Sequence, residues 1–208
     1  MTRLVAPFSP PPSQLPRLSP RQGVRKFTVE EYHKLIEDSF FAENEKFELV
    51  EGWIVNKMSR NPPHDVAIDK THEALQACLP KEWRIRIQSG ITTADSEPEP
   101  DLAVVLGPAD RYLDHHPEPF EIAMVVESSY TSLDFDRADK GRVYAVAGVP
   151  VYWILNVVDA QVEVYTDPSG SDGAAGYRVQ EVFTGEDLVP LMIAGKKVAE
   201  IPARQFLP

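Results

Sequence analysis

Glu99-Pro100-Asp101 stands immediately before the apolar run Leu102 to Leu106, and Glu127 stands immediately after the run Ile122 to Val126. Both runs are rich in β-branched and aliphatic residues and are bounded by segments rich in Pro, Asp and Gly, so they read as strands. In an antiparallel pair the start of one strand lies beside the end of the next, and acids 26 residues apart therefore fit one shared site. Two hard carboxylate oxygens at one sheet end suit Mg²⁺, or Mn²⁺ in its place, with water and phosphate oxygens completing the shell. A cation held there would polarise a phosphate and activate a bound water, the two services that phosphodiester hydrolysis needs.

Lys140 lies 13 residues beyond Glu127 on the segment that reads as the next helix, and Asp136 stands four residues before it on the same face. An ammonium in that place orients the attacking water or stabilises charge developing on the phosphorane. The bland alternative is equally physical. Acids at strand ends are usually solvated, and an Asp-Lys pair at i, i+4 is usually a weak surface ion pair. Spacing alone leaves both readings open.

The elements that must position these groups follow from the rest of the pattern. Residues 1–24 carry Pro7, Pro10, Pro11, Pro12, Pro16 and Pro20 and read as an extended arm, either a loose tail or a docked segment burying Leu4, Val5, Phe8, Leu15 and Leu18. Residues 25–208 read as one domain. Thr28 and Glu31 have capping-box spacing, which predicts a helix through about Glu37. Phe47 and Leu49, then Trp53 to Met58, flank a turn at Glu51-Gly52 and predict a hairpin. Asn61-Pro62-Pro63 breaks the chain before a helix over 64–79. Strands at 83–88, 102–106 and 122–126 fit a meander, and 134–147 predicts a helix stopped by Gly148-Val149-Pro150. The apolar run 151–157 suits a strand covered on both faces. Runs at 161–165 and 177–183 and a late hairpin near Gly195-Lys196 are expected to extend the sheet.

Composition bounds the partners. A formal charge of −11 argues against a protein that coats nucleic acid by bulk electrostatics, although a cation in an acidic cleft reverses the local field. No run of about 18 apolar residues and no basic-apolar-small leader pattern occurs, so a cytoplasmic protein that does not span a membrane is expected. The single cysteine, Cys78, falls in an apolar pattern with Leu75 and Leu79 and is expected to be a buried thiol. No nucleophile elbow or Cys-His signature supports a serine or cysteine hydrolase.

The string VVESSYTSLDFDRADKGRVYAVAGVPVYWILN, preceded by EPDLAVV, resembles the signature of the Uma-type family of bacterial restriction-endonuclease-like proteins, a branch of the PD-(D/E)XK nuclease superfamily. FELVEGWIVNKMS resembles the family's opening hairpin, and PPHDVAI its proline-histidine helix entry. The resemblance covers about residues 27–166. It implies an α/β, restriction-endonuclease-like fold: a mixed central sheet flanked by helices, with an extra N-terminal hairpin and C-terminal strands. Carried over residue by residue, it makes Asp101 and Glu127 the metal-binding acids, Lys140 a catalytic lysine displaced onto the helix, and Glu48 a further recurrent acid of the site. Ser129 occupies the position where the superfamily's pattern holds lysine. Glu97 and Glu99 continue the acidic run, and the residue pattern leaves open whether Glu99 joins the metal shell. His64 follows two prolines at a helix start, where histidine more often caps or packs than meets a phosphate.

The reading that follows is a Mg²⁺-dependent endonuclease acting on DNA. The alternative is a catalytically silent binding or assembly module on the same scaffold. The proline arm, and the need to address two strands, also suggest a homodimer.

Overall fold

The computed structural model describes residues 11–15, 25–42, 44–57, 60–171 and 174–208. Thr28 caps α1 (Val29–Glu37) through the reciprocal bonds its spacing predicts: the Glu31 amide donates to the Thr28 hydroxyl, and the Thr28 amide to the Glu31 carboxylate. Strands β1 (Phe47–Val50) and β2 (Trp53–Asn56) form the N-terminal hairpin as a small sheet of their own. Gly52 turns it at φ +76, and a Cβ there would stand 2.5 Å from the Lys26 Cβ, so both the dihedral and the space require glycine.

Helix α2 spans Pro62–Gln76. Pro62 and Pro63 sit inside its first turn, with Asn61 as the cap, rather than before it as a break. A first-turn proline lacks only an amide that the helix leaves unpaired anyway.

The central sheet has six strands in the order β3-β4-β5-β6-β7-β8. The expected meander is its first half: β3 (Trp83–Ile87), β4 (Leu102–Leu106) and β5 (Ile122–Ser129) pair antiparallel. Strand β5 runs two residues past Glu127, so that acid lies within the strand rather than after it. After β5 come α3 (Leu133–Phe135), a π turn (Asp136–Lys140) and α4 (Gly141–Val146), which lead to β6 (Val151–Asn156), parallel to β5. Strands β7 (Gln161–Ser169) and β8 (Gly176–Thr184) then extend the sheet antiparallel, as expected.

Apolar side chains cover both faces, which explains the nearly unbroken apolar runs of β4, β5 and β6. On one face Leu102, Met124, Trp153 and Leu155 share a core with Ile68 and Leu75 of α2. On the other, Ala103, Val125, Tyr152 and Ile154 share a core with Val143 and Tyr144 of α4 and with Val50 and Leu15.

Three expectations are corrected. The late hairpin, β9 (Leu188–Ile193) with β10 (Lys196–Pro202), does not join the sheet but forms a separate pair. Its buried Val189, Leu191 and Ile193 lie in the same core as α2, so apolar alternation reports a covered face and not a sheet edge. The expected uninterrupted helix over 134–147 contains the π turn instead. Cys78 is only half-buried, at the end of α2 against the first core.

Of the arm, Ser13 and the Gln14 amide donate to the Asp139 carboxylate and Leu15 is buried. Pro7, Pro10, Pro16 and Pro20, together with Leu4, Val5, Phe8 and Leu18, lie outside the described residues, as does Met58. Among the described residues no helix is long and apolar enough to cross a membrane.

Candidate metal and catalytic site

The register Leu102↔Val126 sets Asp101, one residue before β4, against Glu127 on β5. The Asp101 amide donates to Glu127 Oε2 at 3.3 Å, and the Ser128 amide returns a bond to Asp101 Oδ2 at 2.8 Å. The antiparallel pair thus brings together the two acids that sequence spacing assigns to one site.

Lys140 is brought to them by the π turn that follows β5. Its Nζ stands 3.1 Å from Glu127 Oε1 and 2.7 Å from Glu48 Oε2, and all three side chains are buried. Glu48, carried in by the N-terminal hairpin, is further held by the Glu99 amide at 3.0 Å. All four residues expected at the site therefore line one cleft.

The π turn explains how charged neighbours on one helical turn reach separate partners. Asp136 accepts from Ser129 at 2.5 Å and Ser132 at 2.6 Å, Arg137 donates to Glu163 of β7, Asp139 meets the arm and Arg142, and Lys140 reaches the acids. The weak surface pair that i, i+4 spacing suggests for Asp136 and Lys140 does not form, because both side chains are buried with other partners. A helical turn widened in this way is a recurrent feature of functional sites. Ser129, at the place of the superfamily's usual lysine, binds Asp136 instead, and the Lys140 ammonium stands against Glu127.

Two contributors, Gln88 and Tyr144, escape a reading of the sequence. Gln88 takes φ +45 at the end of β3, its amide donates to the Asp101 carbonyl, and its carboxamide lies 3.3 Å from Asp101 Oδ1. Positive φ in a non-glycine residue is uncommon, and here it turns the side chain onto the acid. Tyr144, legible only as part of an apolar helix face, donates its hydroxyl to Glu127 Oε1 at 2.6 Å. The His64 amide is capped by Asn61, while its ring Nε2 stands 3.2 Å from Asp101 Oδ2, so the ring belongs to the cleft. Glu99 sits at the rim, paired with Lys57 at 2.6 Å. Glu97 turns away toward His33 and Thr92.

Charge in the cleft is unbalanced. Five carboxylates, Glu48, Glu99, Asp101, Glu127 and Asp136, face Lys57, Arg60 and Lys140, with His64 beside them. Burial pushes the Glu127 carboxyl up to about 8 against the opposing pull of Lys140, and Asp101, Asp136 and Glu48 add to the rise. Burial likewise lifts Asp136 to about 6, with the two serine hydroxyls and Lys140 opposing. Burial works against the Lys140 ammonium, but Glu127 and Glu48 outweigh it and raise its pKa, so it stays charged. The two directions agree once one ammonium is seen to serve two carboxylates: it is fully compensated while Glu127 is not. Burial opposes both charged forms in the Asp101–His64 pair, yet their mutual contact lowers the carboxyl and raises the imidazole.

The donor set fits a hard divalent cation. Asp101 Oδ1 and Glu127 Oε2 each accept one hydrogen bond, at 3.3 Å, which leaves lone pairs on an oxygen of each acid. The cleft encloses about 60 Å³, room for an ion and a few waters. Among the described residues no three Asp, Glu, His or Cys side chains form a closed cage, so water or substrate would have to supply most of a six-oxygen shell.

Comparison with known proteins bears on this geometry. The Uma2 family model, described as "Putative restriction endonuclease", matches residues 29–198. The chain belongs to this family. The match takes in all four expected site residues and both strands of the acidic pair. Among solved structures, the chain is similar to a crystal structure from Anabaena variabilis ATCC 29413 titled as "a putative nuclease belonging to DUF820". The TM-score is 0.67 at 16% identity, over 86% of this chain and 97% of that one, which shows a shared fold. No curated protein matches the chain.

Proposed function

We propose that this Uma2-family protein is a metal-dependent nuclease that hydrolyses phosphodiester bonds of DNA. The observation that carries the reading is the convergence of Lys140 Nζ, 3.1 Å from Glu127, with an acidic pair joined by the Asp101 amide. Asp101 and Glu127 would hold Mg²⁺ through the oxygens that retain free lone pairs. When bound, Mg²⁺ supplies Lewis acidity toward a phosphate oxygen and an attacking water.

The chain's own groups do the rest. Lys140 has three N–H donors, of which Glu48 and Glu127 take two, leaving one for a phosphate oxygen. Because its ammonium stays charged, Lys140 stabilises developing negative charge and does not serve as a base. Glu48 holds the ammonium, and Tyr144 donates to the same Glu127 oxygen that the ammonium meets. His64 and Gln88 hold Asp101.

The alternative of a silent scaffold rests on Ser129 standing where the usual lysine would be, and the reach of Lys140 weighs against it. The test is cleavage of supercoiled and single-stranded DNA with Mg²⁺ or Mn²⁺ by the wild type, Asp101→Asn, Glu127→Gln and Lys140→Met. Loss of activity is expected for both acid variants, with a fall of about 10²–10³-fold for Lys140→Met. Cleavage that survives all three substitutions would reject the site.

A further inference from the structure

We propose that a groove beside the acidic cleft seats an unpaired nucleotide, so that the substrate is single-stranded or locally unwound where it meets the site. The link to cleavage rests on the nuclease reading; the binding itself does not.

The acidic cleft admits an ion and a few waters, so the body of any substrate must lie outside it. Next to it is a cavity of about 650 Å³, and the two share Lys57, Arg60 and Glu99 as a common wall. That volume falls in the range of about 300–1,000 Å³ that accommodates ligands of nucleotide size. Gln88 lines the cavity and also donates to Asp101, so a group seated there lies one side chain from the proposed metal ligand.

The walls are of two kinds. One is aromatic: Tyr32 of α1, Phe41 and Phe47 of β1 line the cavity, with the Phe41 ring 4.7 Å from that of Phe47 and 6.1 Å from that of Tyr32. The Tyr32 hydroxyl is tied to the Phe47 carbonyl at 3.1 Å, which fixes its ring. The other wall is charged. Lys46, Lys57 and Arg60 line the groove with Glu45 and Glu99; Lys57 is paired with Glu99 and Glu45 holds the Ala42 amide, whereas the side chains of Lys46 and Arg60 are exposed with no hydrogen-bond or ion-pair partner among the described residues. In a chain of net charge −11, free cations gathered beside the cleft are a local feature that a phosphate would meet on the way in.

Aromatic faces combined with a cationic track form the recognition chemistry of single-stranded nucleic acid, because any base has a π face to stack. Base pairs within a duplex keep those faces stacked on one another. An unpaired base can therefore stack against the partly exposed rings of Phe41 and Phe47, which Tyr32 backs from the core, while Lys46 and Arg60 meet its flanking phosphates, and a duplex cannot without opening.

The test is binding by the full chain in EDTA, where nothing is cut, so an absence of nuclease activity would leave its result intact. Labelled oligonucleotides of single-stranded DNA, single-stranded RNA and a blunt DNA hairpin closed by a non-nucleotide linker are compared by fluorescence anisotropy, and 2-aminopurine in the single strands reports stacking. Single strands are expected to bind at least about tenfold more tightly than the hairpin, with quenched 2-aminopurine. The DNA and RNA arms identify the sugar. Phe41→Leu should weaken single-strand binding about tenfold and restore 2-aminopurine emission. Arg60→Gln, at an exposed side chain with no partner to lose, should weaken binding severalfold while the fold is kept, and Phe120→Leu, an exposed ring outside the groove, should change nothing. Equal affinity for hairpin and single strands, or wild-type affinity in Arg60→Gln and in folded Phe41→Leu, would overturn the proposal.

Discussion

At the scale of single residues, the site is held by buried charges that each have a named partner, and the same rule operates on the far side of the π turn. Glu163 of β7 is fully buried and accepts from Nε and an Nη of the Arg137 guanidinium, and also from the Tyr165 hydroxyl and the carboxamides of Asn156, Gln161 and Gln180. That fork fixes the turn from which Lys140 projects. Burial raises the Glu163 carboxyl, but Arg137 and Tyr165 outweigh it and hold the group below its ordinary 4.5. A carboxyl depressed by folding contributes stability above its unfolded value and loses it as pH falls through the folded value. The wild type should therefore lose stability on acidification below about pH 4.5 more steeply than Glu163→Gln. At pH 7 that variant, leaving a partly buried guanidinium uncompensated, should be less stable by about 3 kcal/mol in urea denaturation. Equal stability at pH 7 would show that the fork contributes nothing.

At the scale of elements, the geometry that unites Asp101 and Glu127 was legible because two β-rich runs in succession imply an antiparallel pair, and the register of that pair follows from their ends. Glu48 became legible only through a resemblance, since a hairpin's own sequence says nothing about which sheet end it overhangs. The π turn was not legible at all: its residues have ordinary helical spacing, and its side chains are drawn to separate tertiary partners at Ser129, Glu163, Ser13 and Glu48. Gln88 was hidden for a similar reason, because its positive φ is imposed by the bonds to Asp101 rather than by its own preference. The late hairpin was read in its place but not in its partner: the alternation in β9 marks a covered face without naming the cover, which is the core beneath α2 and not a sheet edge. The arm was undecided between tail and docked segment, and Leu15 settles the described part of it by entering the second core. Leu15→Ala should therefore cost about 2 kcal/mol, at the low end for a buried leucine, read as a lower urea midpoint. An unchanged midpoint would mean that the segment does not dock.

At the scale of the whole molecule, an acidic protein that acts on a polyanion needs its charge arranged rather than reversed. The acids concentrate in a cleft where a divalent cation would neutralise their surplus, and basic side chains with no partner among the described residues stand beside it in the groove. Net charge, the first argument raised against nucleic acid, is thus answered by position. The nuclease reading depends on one ion lying between two strands. Crystals grown or soaked at saturating Mn²⁺ test that directly by anomalous scattering. A single peak held by Asp101 and Glu127 is expected, about 2.1 Å from an oxygen of each, and it should vanish in Asp101→Asn. A peak bound elsewhere, or a bare cleft at a Mn²⁺ concentration that calorimetry shows to be saturating, would contradict it.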